Sequence, residues 1–152
     1  MPSPERLTLF LDDRDNRSLS SARIKDGLPA SDRIRAAVQL WQQWSPVTEQ
    51  INTRAADLRR ARLTRDAKSE QRQIKVSVIL GETTHRALAQ ARLDDGVPAS
   101  ERVRAAVHQW QQDPHFRAAV DELAAELRRQ RYAGRTGTGH PDVPPDLARS
   151  AS

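Results

Sequence analysis

The chain has no cysteine, one methionine and one tyrosine, and aromatic residues make up only 4% of it. Without cysteine there is no disulfide framework and no thiolate chemistry, which fits a reducing compartment, and the cytoplasm is the expected location. No apolar run approaches the roughly 20 residues of a membrane span, and the opening Met-Pro-Ser-Pro-Glu-Arg carries no signal-peptide core. Hydrophobic residues at 37% suffice for small helical cores but are too few for a large enzyme-like interior. A glycine-rich phosphate loop, a nucleophile elbow and a carboxylate pair on an apolar wall are all missing, so no enzymatic activity is expected. The histidines, His85, His108, His115 and His140, form no i, i+4 pair with one another, so neither a metal site nor a cofactor is expected.

What is present is charge. Lys and Arg number 25 against 20 Asp and Glu, a net +5, and the excess is arginine, whose planar fork suits phosphate and guanine edges. A polyanion is the expected partner; no small-molecule substrate is.

The chain is also internally duplicated. ARIKDGLPASDRIRAAVQLWQQ at 22–43 returns as ARLDDGVPASERVRAAVHQWQQ at 91–112, an offset of 69. The same offset runs without a gap from RLTLFL at 6–11 against KVSVIL at 75–80, as far as AADLRR at 55–60 against AAELRR at 124–129. A repeat of this length organises the whole fold. Each copy is small, so its apolar faces need the other copy, or another chain, to bury them.

Within each copy the hydrophobic period changes from two to helical. Leu7, Leu9 and Leu11 alternate with Arg6, Thr8 and Phe10, and Val76, Val78 and Leu80 alternate with Lys75, Ser77 and Ile79, so each copy opens with a strand that has two distinct faces. Asp12 and Asp13, or Gly81, Glu82 and Thr83, signal a helix start, and Gly27 and Gly96 end that helix. Ser31 and Ser100 are expected to cap a second helix, with Asp32 and Glu101 in its first turn. The buried stripe of this helix is Ile34, Ala37, Val38 and Trp41, repeated as Val103, Ala106, Val107 and Trp110, and the tryptophans are read as core rather than as base-stacking groups. Trp44, opposite Asp113 in the repeat, is a contact specific to copy one. After Pro46 and Pro114 comes an extra helix, with Val47, Ile51, Ala55 and Leu58 in copy one and Phe116, Val120, Leu123 and Leu127 in copy two. The second of these stripes has no evident partner in its own small unit, so it is a candidate interface for self-association between chains.

The expected architecture is mainly α with a short two-stranded antiparallel β-ribbon, in two units at 5–60 and 74–131. A polar, basic linker occupies 61–73, and a glycine- and proline-rich tail at 132–152 is expected to be disordered. The arginine run at 54–65 is either a solvated helix face or a phosphate-tracking arm.

The order of strand, Gly-ended helix, and second helix with an Ile/Val, Ala, Val, aromatic stripe resembles the ribbon-helix-helix superfamily of DNA-binding proteins, and it occurs twice, over 6–44 and 75–112. The resemblance implies that the two strands pair and that their outward side chains enter the major groove of double-stranded DNA: Arg6, Thr8 and Phe10 from one copy, Lys75, Ser77 and Ile79 from the other. Phe10 and Ile79 depart from the polar or basic residues more usual there, and two readings stay open, contact with thymine methyls or cover by another part of the protein. The family also anchors phosphate at the N-terminus of the second helix, here following Ser31 and Ser100, although simple capping also accounts for those serines. A linker of this length permits the two strands to pair within one chain as a pseudo-dimer. The implied function is a sequence-specific DNA-binding regulator, most simply a repressor. The alternatives are an accessory of a plasmid conjugation or partition complex, or an antitoxin that regulates its own expression, although the tail is short and apolar-poor for wrapping a toxin.

Overall fold

The computed structural model describes residues 5–64 and 73–139. It is mainly helical, with one two-stranded antiparallel sheet and six helices in the order β1 (Glu5–Asp12), α1 (Asp13–Asp26), α2 (Ala30–Gln43), α3 (Ser45–Thr64), β2 (Gln73–Leu80), α4 (Glu82–Asp95), α5 (Ala99–Gln112) and α6 (Pro114–Gly139).

Each element starts and stops for a local reason. Asp12 caps α1 by accepting from the Asp15 N–H at 2.7 Å. Gly27 (φ 75°) and Gly96 (φ 76°) end α1 and α4 in the left-handed region, each donating its N–H back into the helix. The next residue, Leu28 or Val97, donates its N–H to Asp26 or Asp95 at 2.9 Å and closes the turn. The second helices then begin earlier than serine caps would place them. Pro29 and Pro98 occupy the caps, with no side-chain capping bond, and their preset φ of −62° leads directly into α2 and α5. Ser31 and Ser100 therefore sit inside the first turn and do not cap.

The third helices differ at their starts. Asp113 ends α5 and caps α6, its carboxylate accepting from the N–H groups of His115 (3.0 Å) and Phe116 (3.3 Å). Trp44 takes the equivalent place in copy one and offers no side-chain acceptor; Thr48 donates its hydroxyl to the Trp44 carbonyl there at 3.0 Å. Both helices outrun the sequence reading. α3 continues to Thr64, into the stretch read as linker, and α6 continues to Gly139, past the expected start of the tail at 132. The rest of that linker, 65–72, and of that tail, 140–152, lie outside the described residues.

The two sequence units do not fold side by side. β1 packs on α5 and β2 on α2, while α3 lies against α5 and α6 against α2, so each half completes the other. The buried residues of both halves form a single core, from Leu9, Leu11, Val78 and Leu80 of the strands through Ile34, Trp41, Val103 and Trp110 to Ile51 and Phe116. This corrects the reading of the α6 stripe as a surface between chains. Phe116 and Val120 are fully buried, and Leu123 and Leu127 pack against the same core, because α6 lies against α2 of the other half as well as against its own α5.

Candidate nucleic-acid interface

The ribbon is made by one chain pairing with itself. Thr8 stands opposite Ser77, Arg6 opposite Ile79 and Phe10 opposite Lys75. Thr8 and Ser77 are equivalent positions of the repeat, and their hydroxyls lie 3.4 Å apart. An antiparallel pair centred on equivalent residues is the pairing that a two-fold axis through the Thr8–Ser77 pair generates.

Burial then separates the two faces. Leu9, Leu11, Val78 and Leu80 are buried and Leu7 and Val76 half-buried, whereas Arg6, Thr8, Phe10, Lys75, Ser77 and Ile79 are all exposed. Phe10 is 44% and Ile79 43% exposed, so the described parts of the chain leave both open to solvent rather than shielded. The pairing puts one cation and one apolar side chain across from each other at each end of the face, with the two hydroxyls between. Arg6 or Lys75 can donate to guanine O6 and N7, Thr8 or Ser77 can donate or accept, and an apolar side chain can meet a thymine methyl. A two-stranded ribbon is also of a width that the major groove admits.

At the N-termini of α2 and α5 the N–H groups following Ser31 and Ser100 are largely spent. Asp32 and Arg33 donate to the Pro29 carbonyl at 3.1 and 3.4 Å, and Arg102 to that of Pro98 at 3.2 Å. The groups left without such a partner are those of Ala30 and Ser31, or of Ala99, Ser100 and Glu101. Arginines of the other half's third helix gather around these ends. Arg131 binds the buried Asp32 carboxylate at 3.0 and 3.1 Å, with Arg35 at 3.4 Å on the same group, and Arg128 donates to the Gly27 carbonyl at 2.8 Å. The same contacts recur 69 positions on: Arg62 meets Glu101 at 2.6 Å, Arg104 lies 3.6 Å from it, and Arg59 donates to the Gly96 carbonyl.

This settles part of the arginine run at 54–65. Arg54 donates to Gln109 (3.1 Å) and Gln112 (3.0 Å), and with Arg59 and Arg62 it fastens α3 to the α4–α5 region rather than serving as a free arm. The sequence reading missed a second arginine pair altogether. Arg33 and Arg102 are buried on the core side of α2 and α5. Arg33 reaches Asp26, Asp121 (3.0 Å) and the Leu28 carbonyl (3.1 Å) and lies over the Trp110 ring, while Arg102 reaches Asp95 (2.7 Å) and Asn52 (2.5 Å) and lies over Trp41. Asp121 and Asn52 also accept from the indoles of Trp110 (2.9 Å) and Trp41 (2.8 Å), which places those tryptophans in the core, as the helical stripe predicts. The clue available in the sequence was a charged residue returning at an identical place in the repeat, one position before Ile34 or Val103.

Burial tends to raise the carboxyl pKa of Asp26 and Asp95. The bonds from Arg33 or Arg102, the N–H of Leu28 or Val97 and the guanidinium charge outweigh it, so both stand below their ordinary value. Among the described residues no helix is long and apolar enough to cross a membrane, and no group of His, Asp and Glu is placed to hold a metal ion. Comparison with protein-family models, with curated proteins and with solved structures finds no match to this chain.

Proposed function

We propose that this protein is a sequence-specific double-stranded DNA-binding regulator, most simply a repressor, built from two fused ribbon-helix-helix units that pair as an intramolecular pseudo-dimer and lay their shared ribbon in the major groove. The observation that carries this reading is the outward face of the ribbon: six exposed side chains, among them two cations and two hydroxyls, on a strand pair whose opposite face is core. A net charge of +5 favours approach to a polyanion. Ala30, Ser31, Ala99 and Ser100 supply unspent N–H groups suited to phosphate, with arginines nearby to add to the local positive field.

In this mechanism Arg6 and Lys75 read guanine edges, Thr8 and Ser77 read the centre, and Phe10 and Ile79 press on thymine methyls. One end of the face pairs Arg6 with Ile79 and the other Lys75 with Phe10, so the preferred site is an imperfect palindrome. Several phosphate contacts imply steep salt dependence. Raising salt from about 50 to 200 mM should weaken duplex binding by orders of magnitude, measured by fluorescence anisotropy on labelled duplexes. A nearly flat salt profile, or no binding to any member of a random duplex pool, would overturn the proposal.

A further inference from the structure

Among the described residues, the most exposed large apolar side chains come in equivalent pairs. Ile24 near the end of α1 is 86% exposed and Leu93 near the end of α4 is 81% exposed; Leu63 of α3 is 70% and Tyr132 of α6 50% exposed. Each pair is related by the repeat offset. Arg128 of α6 bonds the Gly27 carbonyl just past Ile24, and Arg59 of α3 bonds the Gly96 carbonyl just past Leu93. One patch is therefore centred on Ile24 and the other on Leu93. The antiparallel pairing about Thr8 and Ser77 puts the two patches on opposite sides of the same axis.

The patches match in shape of sequence but not in charge. The first reads Arg23-Ile24-Lys25-Asp26 and the second Arg92-Leu93-Asp94-Asp95, so exposed Lys25 stands where the second patch has exposed Asp94. Asp26 and Asp95 are held alike by buried arginines in both halves, which leaves Lys25 and Asp94 as the difference in sign. Two first patches brought together would oppose Lys25 with Lys25, and two second patches Asp94 with Asp94. Only the first patch of one molecule against the second patch of another joins aliphatic to aliphatic and cation to carboxylate.

We infer that copies of this chain associate head to tail through these patches, Ile24 and Lys25 of one molecule against Leu93 and Asp94 of the next. A heterologous contact of this kind does not use itself up, because every added copy presents a fresh patch of each kind, and it builds a directional row. The row does not depend on the ribbon's reading of DNA.

The absence of cysteine makes the test direct. Ser20 and Ala89 are exposed, equivalent, and one turn before Ile24 and Leu93 on the same helix faces, and replacing them leaves Ile24, Lys25, Leu93 and Asp94 untouched. Equal amounts of full-length Ser20→Cys and Ala89→Cys are mixed without DNA, treated briefly with a short flexible bis-maleimide, and the dimers separated by intact mass. The expected result is a mixed dimer exceeding its random share by about tenfold or more, an excess abolished by Lys25→Asp in the Ser20→Cys chain. Adding Asp94→Lys to the Ala89→Cys chain then restores it. A random distribution of the three dimers, an excess of either like pair, or an excess indifferent to the charge changes would overturn the head-to-tail contact, and none of these outcomes bears on whether the ribbon binds duplex.

Discussion

The halves of the chain build one scaffold with different chemistry at corresponding places. Buried Arg33 is held between two carboxylates, Asp26 and Asp121, whereas buried Arg102 has one carboxylate, Asp95, and the amide of Asn52. The indole of the facing second helix bonds Asp121 in one half and Asn52 in the other. What the two halves share is an acceptor oxygen that serves both a guanidinium and an indole, and its formal charge is dispensable. The outward ribbon residues differ more freely, Arg6 against Lys75 and Phe10 against Ile79, because nothing in the core constrains them. Packing preserves the halves where they meet and releases them where they face outward.

The largest effects should come from the shared inner face. Leu9→Ala should cost about 3 kcal/mol and Val78→Ala about 2 kcal/mol, since both leave cavities in one common core. Urea unfolding should show a single transition for either variant. Two separable transitions would mean that the halves are independent domains, contrary to the cross-packing of α3 and α6.

Next come the buried arginines, where the halves should separate. Arg33→Met strands two carboxylates and Arg102→Met only one. Because those acids are about a third exposed, the usual cost of breaking a buried pair is reduced, to roughly 2 to 3 kcal/mol for Arg33 and 1 to 2 kcal/mol for Arg102. An equal or inverted order in chemical denaturation would break the comparison. Exchanging the acceptors sharpens it: Asp121→Asn should lower stability and Asn52→Asp raise it, each by less than about 1 kcal/mol, with the double exchange near neutral.

Acid provides a smaller effect, common to both halves. Asp26 and Asp95 have folded pKa values below the ordinary 3.8, so the unfolded chain takes up their protons first as pH falls. Their stabilisation is full above the unfolded value and is lost as pH drops below about 4 toward the lowered folded values. Urea midpoints followed downward from about pH 6 should decline more steeply for the native chain than for Asp26→Asn/Asp95→Asn in that acid window.

The strands, the glycine stops and the core stripes were legible because period and φ requirement are local properties. The sequence also distinguishes the ribbon's faces, since alternation of Leu7, Leu9 and Leu11 with Arg6, Thr8 and Phe10 assigns every side chain to one side or the other. The second-helix caps were misread because Ser followed by an acid is a strong signal, yet Pro29 and Pro98 already hold the entry conformation before the serines are reached. The destination of the Phe116 stripe was not legible at all. A helix pattern states that a face must be covered, and only topology states by what; here it is α2 of the other half together with α5. Arg33 and Arg102 escaped notice for a related reason, because their partners lie partly on the third helix of the other half and no local pattern names them.

The most direct test of the outward face removes its central hydroxyls, which bond only each other and support no core. The affinity of the chain for its best duplex, selected from a random pool, is measured against a scrambled duplex at fixed salt, before and after Thr8→Ala/Ser77→Ala. The prediction is a loss of about tenfold or more in that ratio, with binding to the scrambled duplex and the thermal midpoint nearly unchanged. An unchanged ratio in a variant that still folds and still binds would contradict the assignment of this face to sequence reading.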